Sequence, residues 1–94
     1  MIKHIVCFKL KAGESKEKVA EVLLSMEGNV PMMKGIEVGV DALGAARSYD
    51  VFLSVLLEDM DALAAYQADP YHCDVVKAHM HRVTESSVSV DYPC

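Results

Sequence analysis

Tyr66 and His72 are the pair of residues in this sequence best suited to proton transfer, and a predicted helix break separates them. Asp69-Pro70 predicts that break, because proline disfavours helix at the preceding residue and suits the first turn of a helix capped by aspartate. Near neutral pH a tyrosine hydroxyl is mostly a hydrogen-bond donor, whereas a histidine imidazole can accept a proton. In a catalytic pair, His72 would be the general base and Tyr66 the donor to an enolate or alkoxide.

The same two residues also have a purely structural interpretation. Tyr66 could pack its ring on a sheet with its hydroxyl at the surface, and His72 could hydrogen-bond locally to the Asp69 cap. The residue types alone leave both interpretations open.

His4 is a third candidate, on a predicted strand face that it shares with Val6 and Phe8. A histidine on an apolar strand face often satisfies its hydrogen bonds within the core, so a structural role is open here too. If Tyr66 and His72 point to the same face, the three polar groups would meet in a mostly apolar pocket that suits a small hydrophobic or aromatic ligand. The predicted walls of this pocket are Val6, Phe8, Val51, Leu53, Val76 and Val88.

Potential metal ligands crowd the segment from residue 69 to residue 81, namely Asp69, His72, Cys73, Asp74, His79 and His81. Their spacing is poor for a transition-metal site, because His79 and His81 would point to different sides of a helix. Neither an HExxH motif nor paired CxxC motifs are present. We therefore expect no metal site and no cofactor, and the sequence leaves a loosely held hard cation open.

The composition predicts one compact domain over residues 1–94, with 52% hydrophobic and 24% charged residues. The net charge is -5 and the basic residues are scattered, so we expect no nucleic-acid partner. No apolar run approaches the length of a membrane span, and the first residues show no signal-peptide pattern. Together with three widely spaced cysteines, these features predict a cytoplasmic protein with reduced thiols.

Apolar periodicity predicts the order strand, helix, strand, strand, helix pair, strand. The strands are expected at 2–11, at 36–40 on an edge, at 49–57 in the centre and at 87–92. The first helix is expected to run from a Ser15 cap to Gly28-Asn29, the second to span 58–67, and the third 71–81 with a break at 84–86. This order is typical of an α+β, ferredoxin-like βαββαβ protomer with its helices on one face of the sheet.

The sheet face away from the helices is also predicted to be apolar, with Ile5, Cys7, Phe52 and Leu56 at two-residue spacing. A large uncovered apolar face is rare in a soluble monomer. We therefore expect a homodimer in which two sheets pack face to face, so that the main partner of the chain is a second copy of itself.

Four short segments, in order and at suitable separations, resemble the stress-responsive A/B-barrel domain (Dabb) family. They are residues 4–11, Tyr49-Asp50, Tyr66 with Asp69-Pro70-Tyr71-His72, and Val90-Asp91-Tyr92. The resemblance spans nearly the whole chain and implies a dimeric α/β barrel built from ferredoxin-like protomers. Several plant members of the family are described as stress-induced, stable oligomers, which would suit a structural or interaction role without a ligand.

The resemblance also implies a distant similarity to plant olivetolic acid cyclase, a cofactor-free enzyme of the family. Its catalytic tyrosine and histidine correspond to Tyr66 and His72, and a pocket histidine corresponds to His4. The chain departs from the family pattern at Asp69 and Val51, where histidine is found instead. The resemblance thus implies binding of a small molecule, or a cyclase or lyase reaction on one.

Overall fold

A four-stranded antiparallel sheet carries all the helices on one of its faces in the computed structural model, which describes residues 1–94. The sheet order is β2-β3-β1-β4, so β2 lies at an edge and β3 inside, as predicted. In chain order the elements are β1 (Ile2–Leu10), α1 (Lys16–Leu24), β2 (Gly35–Val40), β3 (Val51–Leu57), α2 (Met60–Ala68), a π-helical segment (His72–Lys77) that continues as α3 (Ala78–Val83), and β4 (Thr84–Pro93). The ferredoxin-like α+β architecture is confirmed.

Side-chain caps set the starts of the first two helices. The Ser15 hydroxyl accepts a hydrogen bond from the backbone N–H of Lys18 at 3.0 Å, which confirms the predicted cap. At the start of α2, the Asp59 carboxylate accepts from the N–H of Ala62 at 2.8 Å. Each cap satisfies a backbone donor that has no partner within its own helix.

The first helix is shorter than its apolar pattern predicts. It ends at Leu24, and the chain continues as hydrogen-bonded turns in which the Ser25 hydroxyl donates to the Val22 carbonyl at 2.6 Å. Gly28 lies in these turns with a φ of +82°, a conformation that favours glycine. Met26 and Val30 still enter the core, so the pattern predicts their burial correctly although they lie outside the helix.

The last third of the chain differs from the prediction in two places. The third helix ends at Val83, as the break predicted at 84–86 requires, but β4 begins at Thr84 instead of residue 87, and a bulge opposite Lys9 and Leu10 takes up the extra length. The buried residues His72, Val76, Met80 and Val83 recur every three or four positions, so Val75 lies off this stripe and is 42% exposed. The apolar pattern of this segment predicts one broad buried stripe that includes both valines, which is wrong for Val75.

The core lies between the helices and the sheet face that they cover. It takes every second residue of β3 because strand side chains alternate between the two faces. The buried apolar cluster consists of Leu10, Val19, Leu23, Met26, Val30, Val51, Leu53, Val55, Leu57, Tyr66, Val76, Met80 and Val83. Tyr66, at the end of α2, thus lies inside the core with 0% exposure.

The opposite sheet face carries no helix, and we call it the open face. It is formed by Ile5, Cys7, Phe52 and Leu56 as predicted, and the strand register adds Val88, Val90 and Tyr92 of β4. Val88 is 50% and Val90 59% exposed. None of the helices has the length and apolar character needed to span a bilayer.

Candidate functional site

A cavity of about 480 Å³ lies between the helix side of β1 and the corner where α2 meets the π-helical segment. Its floor and inner walls are His4, Val6, Phe8, Leu23, Leu53, Tyr66, His72, Val76 and Met80. Thr84, Ser86, Ser87 and Ser89 of β4 form a polar wall, and Gln67, Lys77, His81 and Glu85 complete the lining. The cavity is therefore apolar along the sheet and polar along one edge.

Three aromatic rings gather at one end of this cavity. The rings of Tyr66 and His72 stack with centroids 4.2 Å apart and an angle of 23° between their planes. The ring of His4 meets Tyr66 edge to face, with centroids 5.6 Å apart and an angle of 62°. The fold thus brings together the three polar residues that the sequence analysis selected, and we call them the three-ring cluster.

The Tyr66 hydroxyl is buried and donates a long hydrogen bond, 3.7 Å, to the thioether sulfur of Met26. A surface position for this hydroxyl, the structural alternative considered above, is therefore wrong. Burial raises the pKa of Tyr66 well above its usual range, and the negative charge of Asp69 raises it further. The phenol therefore stays protonated, and because a thioether is a weak acceptor, its hydrogen bond is only weakly satisfied.

The His72 ring is held in one orientation by the end of α2. Its Nδ1 lies 2.9 Å from the backbone carbonyl oxygen of Tyr66, and since a carbonyl only accepts, Nδ1 must carry the hydrogen. Nε2 is then a hydrogen-bond acceptor, and it has no partner within the chain and is not sealed from solvent. Burial lowers the pKa of His72; the hydrogen bond to the Tyr66 carbonyl opposes this in part, and among the smaller contributions Lys77 and His4 lower the pKa while Asp69 raises it. His72 is therefore neutral near pH 7.

Asp69 and Pro70 form the predicted corner between the two helices. Asp69 is 6% exposed and its carboxylate accepts a hydrogen bond from the backbone N–H of His72 at 3.0 Å, so the aspartate cap is confirmed. The cap binds the backbone of His72 and leaves its ring free to face the cavity.

The third ring, His4, hydrogen-bonds through Nδ1 to the Asp91 carboxylate. The two residues are direct partners in the antiparallel pairing of β1 and β4. The sequence analysis gave Asp91 no role in the site. The alternation of β4 places it on the face opposite Val90, but only the register of the two strands shows that it meets His4.

Not all of the predicted wall residues reach the cavity. Val6, Phe8, Leu53 and Val76 line it, but Val51 is sealed in the core at 2% exposure.

Val88 lies on the open face, where it pairs with Cys7, and this corrects its predicted place in the wall. The predicted wall position of Val88 requires the apolar residues of β4 to face the helices. In fact β4 turns Ser87 and Ser89 toward the cavity, because at this edge of the sheet the open face is the more apolar of the two.

One polar atom of the wall has no partner. The hydroxyl oxygen of Thr84 is buried and makes no hydrogen bond, although buried hydroxyls usually make one. Residues of this wall were missed in the sequence because serine and threonine on a strand have no distinctive spacing. No group of three or more His, Cys, Asp or Glu side chains lies close enough to hold a metal ion.

A comparison with family models finds a match to the Stress responsive A/B Barrel Domain family, Dabb, over residues 2–94. The chain belongs to the Dabb family. No protein with a curated description matches this Dabb chain.

Solved structures similar to this Dabb chain share its fold. A dimeric ferredoxin-like protein from Thermobifida fusca is 26% identical, with 99% of this chain and 90% of that chain covered and a TM-score of 0.84. A dimeric protein with a ferredoxin-like fold from Bacteroides fragilis is 22% identical, with 99% and 95% covered and a TM-score of 0.84. A hydroxynitrile lyase from Passiflora edulis is 19% identical, with 97% and 90% covered and a TM-score of 0.76. The similarity to olivetolic acid cyclase stays a prediction.

Proposed function

We propose that this Dabb protein binds a small hydrophobic or aromatic molecule in the cavity beside the three-ring cluster. The observation that supports this proposal is the cavity itself. It lies between β1 and the corner of the helices, where a tightly packed core would leave no room for a ligand. Its volume of about 480 Å³ falls within the range of about 300–1,000 Å³ typical of small-molecule sites. Apolar residues along the sheet offer a surface for a hydrophobic ring or chain, and the polar residues opposite them offer hydrogen-bond partners.

The polar groups indicate a ligand that carries at least one oxygen atom. The Tyr66 hydroxyl donates only to a weak thioether acceptor, and His72 Nε2 accepts no hydrogen bond within the chain. A ligand hydroxyl can accept from Tyr66 and donate to His72 Nε2, and a ligand carbonyl can accept from Tyr66, while a ring or short chain covers Val6 and Phe8. A pure hydrocarbon would leave His72 Nε2 without a hydrogen-bond donor and the Tyr66 hydroxyl with only the Met26 sulfur.

Acetophenone and ethylbenzene test this proposal, because they share a ring and differ in the carbonyl oxygen. We expect acetophenone to raise the melting temperature in a concentration-dependent way and ethylbenzene to raise it less, since a ligand of the native state stabilises it. Ser89→Phe should abolish the acetophenone shift by filling the cavity from an exposed position on β4, whereas Ser89→Ala should keep it. No shift in the wild type, or an equal shift in Ser89→Phe, would instead support a structural or interaction protein without a ligand.

A cofactor-free reaction on the bound molecule is the second candidate function, favoured by the stacked Tyr66 and His72. In such a cyclase or lyase reaction, a neutral imidazole removes a proton from the carbon beside a carbonyl group, and Tyr66 donates to the enolate oxygen that results. The sequence assigns the base to His72. One protein of similar structure is named a hydroxynitrile lyase, which supports testing lyase chemistry here. The simplest test is exchange of the acetophenone methyl protons in deuterium oxide, followed by proton NMR.

The proposal includes a homodimer formed through the open face. Ile5, Cys7, Val88 and Val90 make this face apolar, and two proteins of similar structure are described as dimeric. Burial of this face would remove apolar surface from water, at about 25 cal/mol for each Å². A cytoplasmic location is also part of the proposal, because all three cysteines are free thiols.

A further inference from the structure

We propose that Asp91 is a positioning residue for His4, and that His4 is the imidazole that takes and holds the proton in this cavity. The inference rests on the proposed acid–base function and specifies which histidine serves as the base. It is drawn from the contact between β1 and β4.

The hydrogen bond between His4 and Asp91 fixes the tautomer of the His4 ring. An ionised carboxylate only accepts hydrogen bonds, so Nδ1 of His4 must carry the hydrogen that joins them. Nε2 is then the acceptor of the ring, and it has no partner within the chain and is not sealed from solvent. His4 lines the cavity and touches Tyr66, so an oxygen-bearing ligand there would meet this nitrogen.

The two imidazoles of the three-ring cluster differ in what holds Nδ1. His72 donates to a backbone carbonyl, a neutral partner, and its burial opposes a positive charge. His4 donates to a carboxylate whose side chain is 33% exposed, and a carboxylate in this position stabilises the imidazolium that forms after proton transfer. His4 can therefore hold a proton through the lifetime of an intermediate, while His72 is better suited to accept a hydrogen bond.

The proposed step is a balanced proton transfer. Nε2 of His4 takes a proton from a carbon beside the ligand carbonyl, and the electron pair of the broken C–H bond moves to form an enolate. The Tyr66 hydroxyl exchanges its contact with the Met26 sulfur for a hydrogen bond to the enolate oxygen, and Asp91 accepts from the Nδ1–H of the new imidazolium. The same proton, or one from solvent, then returns to the substrate.

The ligand-free protein tests the positioning role by long-range proton–nitrogen NMR correlation spectra of its histidine rings above neutral pH. In the wild type we expect the His4 hydrogen on Nδ1 alone. In Asp91→Leu the two tautomers should interconvert and average the signals of both ring nitrogens, while His72 keeps its pattern because the Tyr66 carbonyl holds it. Tyr92→Leu, a neighbouring change on the open face, should leave His4 as in the wild type. A His4 hydrogen on Nε2, or a His4 spectrum unchanged in Asp91→Leu, overturns the proposal.

Proton exchange of acetophenone tests the choice of base. His4→Gln should slow the protein-dependent exchange by about 100-fold, the lower end for loss of a general base, and more than His72→Gln does. Asp91→Leu should also slow it, and the double variant should be no slower than His4→Gln, because Asp91 acts through His4. A larger effect of His72→Gln, or independent effects of Asp91 and His4, overturns the assignment. If the wild type catalyses no exchange, the proposed reaction fails, and the NMR spectra still decide whether Asp91 positions His4.

Discussion

Replacing Tyr66 with phenylalanine should separate the chemical role of this residue from its structural role. The ring is fully buried and stacks on His72, and phenylalanine keeps both contacts. The change removes only a hydroxyl whose single partner is the Met26 thioether at 3.7 Å. An ordinary hydrogen bond contributes about 0.5–1.5 kcal/mol net, so this weaker one should cost less than about 1 kcal/mol.

Tyr66→Ala gives the scale against which that small effect is measured. Removal of a buried aromatic ring from a core costs about 3–5 kcal/mol, a large part of the total stability of about 5–15 kcal/mol of a domain. For a chain of this size 1 kcal/mol corresponds to about 4–8 °C in melting temperature, so the two variants are easily resolved. Urea unfolding at one fixed protomer concentration is the assay, because assembly would otherwise change the apparent stability.

The same Tyr66→Phe variant should lose chemistry while it keeps its fold. Loss of a hydrogen-bond donor to a developing oxyanion costs about 100-fold to 1,000-fold in rate, so the acetophenone exchange should fall by at least about 100-fold. A loss of more than about 2 kcal/mol would show that the hydroxyl is structural. Unchanged exchange in a folded Tyr66→Phe protein would show that the hydroxyl donates to no intermediate.

Two further predictions concern pH and assembly. The pKa of His72 in the folded state lies below its ordinary value of 6.5, so the unfolded chain binds more protons than the folded one as the pH falls below that value. The free energy of unfolding should therefore fall on acidification, and His72→Gln should weaken this dependence in urea unfolding at about pH 7.5 and about pH 5. An equal pH dependence in both proteins would contradict the prediction. Val90→Lys places a charge on the open face. Sedimentation at micromolar concentration should show a dimer for the wild type and a folded monomer for this variant, and a wild-type monomer would contradict the homodimer.

The architecture could be predicted from sequence because each element depends on local patterns. Alternation along β3 and the caps at Ser15 and Asp69 identify the strand, the helix start and the corner without knowledge of the rest of the chain. The meeting of Tyr66 and His72 follows from that corner, since both lie within a few residues of it.

The features that could not be predicted depend on relations between distant segments. Asp91 meets His4 only because the register of β1 and β4 places them opposite each other, across 87 residues of chain. Val88 was assigned to the wrong face for the same reason, since alternation gives the two faces of a strand but not which one the helices cover. The π-helical segment is an insertion that a regular helical period does not record.

The alternation of β4 makes this one strand responsible for two surfaces at once. Ser87, Ser89 and Asp91 line or approach the cavity, while Val88 and Val90 lie between them on the open face. A shift of the pairing by one residue would turn the valines into the cavity and the serines onto the open face, and both surfaces would be lost together. The bulge opposite Lys9 and Leu10 sets the pairing register of β1 and β4, and therefore decides which residues of β4 face the cavity and which lie on the open face. Deletion of a single residue there would do more harm than any one substitution along β4.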